Sequence, residues 1–332
     1  MSWYFDKGSE DNIIVSTRIR LARNIEGINF LNRMTEKDEE KVINIFKDNK
    51  IADLKLYKLS DIDEITKLSL VEKHILSKDI LNRKNGAFLL SDDEKICVML
   101  NEEDHIRIQV INSGANFKNL YNEAKVVDEN ISKLVKYAYS EKYGFLTTCP
   151  TNLGTGLRVS VMLHLPALRI TGRIQKVLDV INKVNVTVRG VYGEGSSAIG
   201  DMYQLSNKVS LGISEEDVLN SIKKIAETII KKEREAREFL KKSGIEFEDK
   251  ISRMYGNLSY ARKIDYSECA KLISNIKLGV DMGIINDIDI EKVNKIRILA
   301  KPASLQKHFK SKLEAEDRDI KRAELIKEIL NN

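Results

Sequence analysis

Cysteine and proline are scarce, with three of each in 332 residues. Cys97, Cys149 and Cys269 are odd in number, far apart and without metal-ligand spacing. That excludes a disulfide framework and a zinc site, and it fits a reducing compartment. Aromatic residues make up only 6% of the chain. No apolar run approaches the ~20 residues of a membrane span, and the start, MSWYFDKGSEDN, has no apolar stretch for a signal peptide. The expectation is a cytoplasmic protein that does not engage a membrane. A dominant sign of charge is also lacking, since 55 Lys and Arg face 50 Asp and Glu. So small an excess argues against direct nucleic-acid binding unless the positive charges cluster. Neither G-x-x-x-x-G-K-[ST] nor G-x-G-x-x-G occurs, so a P-loop, a protein-kinase glycine loop and a Rossmann fingerprint are all excluded. Repeats, low-complexity tracts and Gly/Ser linkers are absent as well.

What is present is ordinary globular composition, 42% hydrophobic and 32% charged, at a length that suggests two domains. Strand-like runs fall at 13–21, 87–90, 95–100, 106–111, 158–165, 184–191 and 202–211, with helical patterns at 35–49 and 122–139. From Ser214 the period turns helical. Ser214-Glu-Glu-Asp217 reads as a capped start, followed by Val218, Ile222, Ile225 and Ile229. Gly244 and its polar neighbours mark the boundary. This divides the chain into an α+β domain over residues 1–240 and a small all-helical domain over 241–332.

Arginines recur on the strands. In Val15-Ser-Thr-Arg-Ile-Arg20, the two-residue period puts Ser16, Arg18 and Arg20 on one face and Thr17, Ile19 and Leu21 on the other. Arg107, Arg158 and Arg189 also project from strand patterns. An arginine's planar, permanently charged fork grips two phosphate oxygens at once, so the set reads as a polyanion site. Asn101-Glu-Glu-Asp-His-Ile-Arg107 places three consecutive acids between two strand runs, the composition of an exposed hairpin turn. Glu194 stands alone between Gly193 and Gly195. In Cys149-Pro-Thr-Asn-Leu-Gly-Thr-Gly-Leu-Arg158, two glycines that permit close backbone approach and several hydroxyls suggest a ligand-holding loop. The run Lys231-Lys-Glu-Arg-Glu-Ala-Arg237 alternates in sign and reads as a solvated helix. Near the end, Ser311-Lys-Leu-Glu314 resembles another capped start, ahead of Arg318-Asp319.

STRIRLARN, NEEDHIR, CPTNLGTGLR and RGVYGEGSS, in this order, closely resemble the catalytic domain of the phosphagen (guanidino) kinases, over roughly residues 11 to 235. Only fifteen residues precede Ser16, where the small-molecule kinases carry a helical domain, and a helical tail follows that they lack. Both features resemble the bacterial branch that phosphorylates arginine side chains within proteins, the McsB type. The resemblance implies an antiparallel sheet flanked by helices, of the glutamine-synthetase-like kind, with ATP and Mg2+ as cofactors and no protein metal site. It implies that Arg18, Arg20, Arg107, Arg158 and Arg189 hold the ATP phosphates. Nucleotide contacts would extend over Ser16, Thr17 and Ile19, over Val159, Ser160, Val161 and Met162, and over Gly190, Val191, Tyr192, Gly193 and Glu194, with His74 beside them.

Further expectations come from the same source. Glu103 matches the catalytic base and Glu194 a second acceptor-binding carboxylate. Cys149 would be an electrostatic partner of the acceptor and an oxidation-sensitive point. Glu102 and Asp104 would shape the turn or sit near the metal. Arg318 and Asp319 match a phosphoarginine-binding position on a tail that also dimerises. Implied partners are proteins with accessible arginines, a heat-shock repressor, a Clp ATPase and protease, and a zinc-binding activator protein. Two other functions compete, a kinase of free arginine and a phosphoarginine-binding adaptor with a degenerate kinase site.

Overall fold

The structure, a computed structural model, describes residues 2–182, 185–190 and 198–331. It is an α+β protein in which every strand pairing is antiparallel. The elements run β1 (Ile14–Arg23), α1 (Glu36–Asp48), β2 (Lys55–Lys58), α2 (Glu64–Glu72), β3 (Ala87–Leu90), β4 (Ile96–Leu100), β5 (Ile106–Asn112) and α3 (Phe117–Ser132). They continue through β6 (Tyr139–Ser140), β7 (Gly144–Phe145), β8 (Leu157–His164), α4 (Pro166–Ile170), α5 (Ile174–Ile181), β9 (Val186–Gly190) and β10 (Met202–Asn207). Helices complete the chain: α6 (Glu215–Lys241), α7 (Ile245–Tyr260), α8 (Tyr266–Asp281), α9 (Ile290–Leu299), α10 (Pro302–Phe309) and α11 (Ala315–Asn331).

Eight strands form one sheet in the order β2-β3-β4-β5-β1-β8-β10-β9. Strand alternation divides it into two chemically different faces. Ile19, Leu21, Val98, Ile108, Val110, Val159, Val161 and Leu205 fill one face, and all are buried. Helix α3 covers this face with Leu120, Ala124, Val127 and Ile131, and α6 covers it with Val218, Ile222, Ala226 and Ile229, within one continuous apolar core. The opposite face carries the arginines. Its two ends are closed by α2 over Phe88, Cys97 and Met99 and by the C-terminal helices over β8 and β10.

Those helices dock through buried polar contacts. Glu72, at the end of α2, accepts from the amides of Ala303 and Ser304, both at 2.8 Å, and so caps α10. On the far side, Glu233 accepts from the amides of Ala167 and Leu168 at 3.0 and 2.9 Å and from Arg237 Nε at 3.1 Å. Arg237 reaches Asp281 on α8, which also pairs with Lys277 at 2.8 Å. The run Lys231–Arg237 is solvated on one side only: Lys231, Lys232, Arg234 and Glu235 are exposed, while Glu233 and Arg237 are buried in this junction.

Several boundaries differ from the sequence reading. Helix α3 starts at Phe117, whose ring already joins the core, and ends at Ser132. The chain then turns so that Tyr137 bridges to Ile25. Strand β10 stops at Asn207, whose side chain satisfies Val159 N and Leu157 O. Helix α11 begins at Ala315, and Ser311 Oγ bonds only Lys312 O rather than capping it. The last helical residue of α6 is Lys241, and Gly244, at φ 56°, starts α7.

Candidate active site

Strand register assembles the arginine face. Arg20 lies directly opposite Arg158 across β1–β8, and Arg18 opposite Ser160. Arg107 pairs with Ala22 on the other side of β1, which places it diagonal to Arg20. Arg189 pairs with Gln204, and Gln204 with Met162, so β9 delivers its arginine to the same face. The five sequence-predicted arginines thus converge. Their mutual repulsion shows in their acidities: burial, then Arg18, Arg107 and Arg158, push Arg20 well below the ordinary guanidinium range. Burial, then Arg107 and Arg189, lower Arg158. The Nε atoms of Arg20 and Arg158 are sealed from solvent without a hydrogen-bond partner. Buried donors of one sign without acceptors describe a site built for an anion.

Not every predicted residue on these strands presents its side chain here. Thr17, Ile19, Val159 and Val161 occupy the apolar face, where they are buried, and Thr17 Oγ1 donates to Gly114 O at 2.6 Å. Ser160 joins the site, accepting from Arg20 Nη2 at 3.5 Å. Gln204, which the sequence reading missed, accepts from Arg18 Nη2 at 3.1 Å. Its signal was its place on a strand of the same period. Gly190 ends β9. Val191, Tyr192, Gly193 and Glu194 lie outside the described residues.

The acidic turn between β4 and β5 is not the exposed hairpin that its composition suggests, since Glu102, Asp104 and His105 are buried. Asn101 takes a left-handed conformation, φ 59°, to start it. Glu102 accepts from Arg107 Nη1 at 2.7 Å, from Ser77 Oγ at 2.5 Å and from the Glu103 amide at 2.6 Å. Glu103 stands partly open and is bridged by Arg107 Nη2 and, at 3.4 Å, by Asn152 Nδ2. Asp104 shapes the site, taking Asn24 Nδ2 and the Thr148 amide, both at 2.7 Å. That last bond ties the cysteine loop to the acidic turn.

Within that loop the close approaches are to the protein itself. A side chain at Gly154, φ 107°, would meet Ser210 O at 2.6 Å, and one at Gly156, φ 66°, would meet Arg23 Nη1 at 2.5 Å. The glycines wedge the loop against β1 and the end of β10, leaving Cys149 partly accessible at its tip, with Sγ 3.0 Å from Thr151 Oγ1. Cys97 and Cys269 are buried, which raises both thiols, Cys269 to about 12.

His74 follows α2 in a left-handed conformation, φ 61°. Gln109 Nε2 donates to its carbonyl at 2.8 Å, an anchor on the arginine face that the sequence reading did not identify. Together with Ser16 and Met162, His74 lines a cavity that the C-terminal helices close. In the tail, Arg322, also missed, is buried. It donates to Ala300 O at 2.8 Å, to Ile264 O at 2.7 Å and to Asp319 Oδ1 at 2.7 Å, so it orients the aspartate beside the half-exposed Arg318.

Residues 35–236 match the profile of the ATP:guanido phosphotransferase C-terminal catalytic domain, and residues 244–332 match that of the protein-arginine kinase McsB C-terminal domain. The chain belongs to the ATP:guanido phosphotransferase family. Its place there is in the protein-arginine kinase branch, as two curated relatives show. The protein-arginine kinase of Halothermothrix orenii is 43% identical over 99% of this chain and 96% of its own. That of Bacillus subtilis is 43% identical over 99% of this chain and 93% of its own. Among solved structures, the duplicated taurocyamine kinase of Schistosoma mansoni with bound transition state analog components superposes with a TM-score of 0.59 at 27% identity. The match covers 67% of this chain and 33% of that one. A lombricine kinase shares the fold, with a TM-score of 0.59 over 70% of this chain and 71% of its own.

Proposed function

We propose that the protein transfers the γ-phosphoryl group of ATP to arginine side chains of other proteins. The observation that carries this reading is the convergence of Arg18, Arg20, Arg107, Arg158 and Arg189 on one sheet face, beside the turn that holds Glu103. Phosphoryl transfer needs neutralised charge and in-line alignment more than covalent help. Five fixed cations supply the first. The acceptor guanidinium, with a pKa of ~12.5 to 13.8, must be oriented and relieved of a proton before it can attack. Glu103 takes that proton as the terminal nitrogen bonds the γ-phosphorus and the β–γ bridging oxygen leaves with ADP. Glu194 serves as the second carboxylate holding the planar acceptor, and Cys149 as its electrostatic neighbour. Backbone groups of Ser16–Arg20, Arg158–Met162 and Arg189–Glu194, with His74, complete the nucleotide contacts.

The resting ion pair suggests an order of events. Glu103 is occupied by Arg107, so the base is masked until an incoming polyphosphate draws that guanidinium away. Glu102, which grips the other nitrogen of Arg107, keeps the arm within reach of both positions. Magnesium accompanying the nucleotide would supply further neutralisation of phosphate charge, beside Arg18, Arg20, Arg107, Arg158 and Arg189. Among the described residues there is no group of three or more His, Cys, Asp or Glu side chains that could hold a metal ion.

Arg318 and Asp319 are proposed to bind phosphoarginine, the arginine gripping phosphate and the aspartate the guanidinium, with Arg322 as the brace. Dimerisation through the same domain finds support in Ile245 and Tyr260, exposed at the two ends of α7. Among the described residues no helix is long and apolar enough to cross a membrane, and a cytoplasmic setting accords with three free thiols. Action on a heat-shock repressor, delivery of marked proteins to a Clp protease and control by a zinc-binding activator rest on the resemblance to the McsB branch.

The test is to incubate the protein with ATP and either free arginine or an unfolded, arginine-rich protein. Acid-labile phosphate on the protein acceptor, lost in Glu103→Gln, supports the reading. Phosphorylation of free arginine alone would replace it with a phosphagen kinase. Phosphoarginine binding without any transfer would replace it with an adaptor.

A further inference from the structure

Three large side chains beside the cysteine loop, Tyr139, Tyr143 and Leu211, are exposed at 59%, 43% and 45%. With Phe145 and Ile213 they line one open groove of about 350 Å3, which also takes in Gly154 of that loop. Apolar residues exposed singly need no explanation, but a cluster around one groove points to a partner. Aromatic side chains are the ones that interfaces favour, because they bring a large contact area at little cost in rotamer freedom.

The groove is preorganised. Strands β6 and β7 pair through Tyr139–Phe145 and Ser140–Gly144. The Tyr139 ring stands edge-on to Phe145 with centroids 5.4 Å apart. The buried Arg23 guanidinium lies over the Phe145 ring at 3.6 Å, and Asp128 holds that guanidinium at 2.7 Å. Tyr139 therefore rests on a fixed stack, and covering it costs little further ordering.

Both walls of the groove are fastened to the loop that approaches Glu103. Phe145 and Gly154 exchange backbone hydrogen bonds at 2.8 and 3.3 Å, and a side chain at Gly144 would meet Gly154 O at 2.5 Å, so the hairpin is pressed onto the loop. From the other wall Ser210, next to Leu211, donates through Oγ to Thr151 O at 3.3 Å and to Leu153 O at 2.9 Å. Between those two carbonyls sits Asn152, whose Nδ2 donates to Glu103 at 3.4 Å. Asn152 and Gly154 are two residues apart, at most ~7 Å of chain. The groove thus opens within roughly two to four residues of extended polypeptide from that carboxylate.

We propose that the groove holds the substrate polypeptide around the acceptor arginine and takes an aromatic or large aliphatic side chain roughly two to four residues from it. The inference deepens the protein-arginine kinase reading and rests on it. It narrows the substrate class. Large apolar side chains are mostly buried in folded proteins, so an arginine flanked by one reaches the groove only where its chain is unfolded or locally open. Free arginine has nothing to place there. Selection of this kind acts through binding rather than chemistry, so it falls on KM and leaves kcat unchanged.

The test assays the full-length protein with ATP and single-arginine peptides of Gly, Ser and Asn. Each peptide carries either Phe or Ser at about two, three or four residues before or after the arginine, and acid-labile phosphate is the readout. The best Phe peptide should exceed its Ser counterpart by roughly tenfold or more in kcat/KM, through KM. Tyr139→Ser combined with Leu211→Ser should bring the two peptides to within about twofold of each other. The same double variant should leave the Ser peptide and the KM for ATP unchanged, which also shows that it is folded. Tyr139→Phe should keep the preference. Equal kcat/KM for Phe and Ser peptides at every position, no transfer to any Phe peptide when an unfolded protein is modified, or a preference that survives the double variant overturns the subsite and leaves the kinase standing. So does a change in the oligomeric state of the double variant on sedimentation, which would assign the patch to contacts between copies. If wild type modifies neither peptides nor protein, the kinase reading falls first and the subsite with it.

Discussion

Arg20 and Arg158 face each other directly across the β1–β8 ladder, two cations where a sheet ordinarily places opposite charges or apolar partners. Burial lowers the affinity of both for their protons, joined by repulsion from Arg18, Arg107 and Arg158 at Arg20 and from Arg107 and Arg189 at Arg158. Such an arrangement costs stability in the empty protein and is relieved by an anion. Arg158→Met should therefore leave Tm unchanged or raise it by up to about 2 °C, while kcat/KM for ATP falls ~100-fold or more. Lysine should not rescue, because the planar fork is lost. Calorimetry beside steady-state kinetics checks both. A variant that lost stability in step with activity would show that the pair holds the sheet together rather than a ligand.

Cys149 is the one partly accessible thiol among three that differ sharply in environment. The buried Cys97 and Cys269 have raised thiols, which keeps them protonated and slow to react. Titrating the native protein with a thiol-specific disulfide reagent should modify one equivalent rapidly, and none rapidly in Cys149→Ser. Since Asp104 bonds the Thr148 amide and ties this loop to the Glu103 turn, modification should also suppress phosphoryl transfer, with recovery on adding a reductant. Full activity in the modified protein would separate the loop from the chemistry.

The arginine face was legible because side-chain alternation needs only local spacing. Once Arg18, Arg20, Arg107, Arg158 and Arg189 fall on strands, their common face follows from antiparallel register. The helical character after Ser214 was legible for the same reason, and Ser214 does accept from the Asp217 amide at 3.1 Å. Short and weakly patterned elements were not. Strand β2 is an exposed edge reading Lys-Leu-Tyr-Lys, and α2 has little amphipathic contrast although Asp63 caps it through the Thr66 amide. Nor could spacing show that the acids around Glu103 are buried, because their partners Ser77 and Arg83, Asn24, and Asn152 come from three separate stretches of chain. The same holds for Glu233, whose neighbours alternate in charge like a solvated helix. Burial of a charge is decided by what packs over it, and the C-terminal helices do that here.

Glu233 links that observation to stability. It caps the start of α4 with both oxygens and holds Arg237, which continues to Asn12 O at 3.0 Å and to Asp281. Removing the carboxylate leaves two helix amides uncapped and the buried Arg237 with only Asn12 O and the more distant Asp281 as partners. Glu233→Ala should cost ~3 to 5 kcal/mol, read by urea unfolding. The double change to Glu233→Met with Arg237→Met should recover much of it, because a neutral apolar pair leaves no uncompensated charge. A loss below ~1 kcal/mol for the alanine variant would mean that the junction does not depend on this network.

Lys301 joins the junction at the other end, donating to Glu72 O. Burial, then Arg297, push its ammonium down to about 7, against the weaker opposing pull of Glu72. In the unfolded chain a lysine titrates at ~10.4. Between these two values the unfolded state binds more protons than the folded one, so this residue makes stability rise with pH across that window and contributes no slope below it. The full rise is roughly 5 kcal/mol at most. Groups titrating elsewhere affect wild type and Lys301→Met alike, so the difference between their unfolding free energies isolates the effect. That difference should move in favour of wild type by ~2 kcal/mol or more between pH 7 and pH 9. If it is the same at both pH values, Lys301 is not held in the state that the packing imposes, and the cavity wall it shares with Arg297 is wetter than the structure shows.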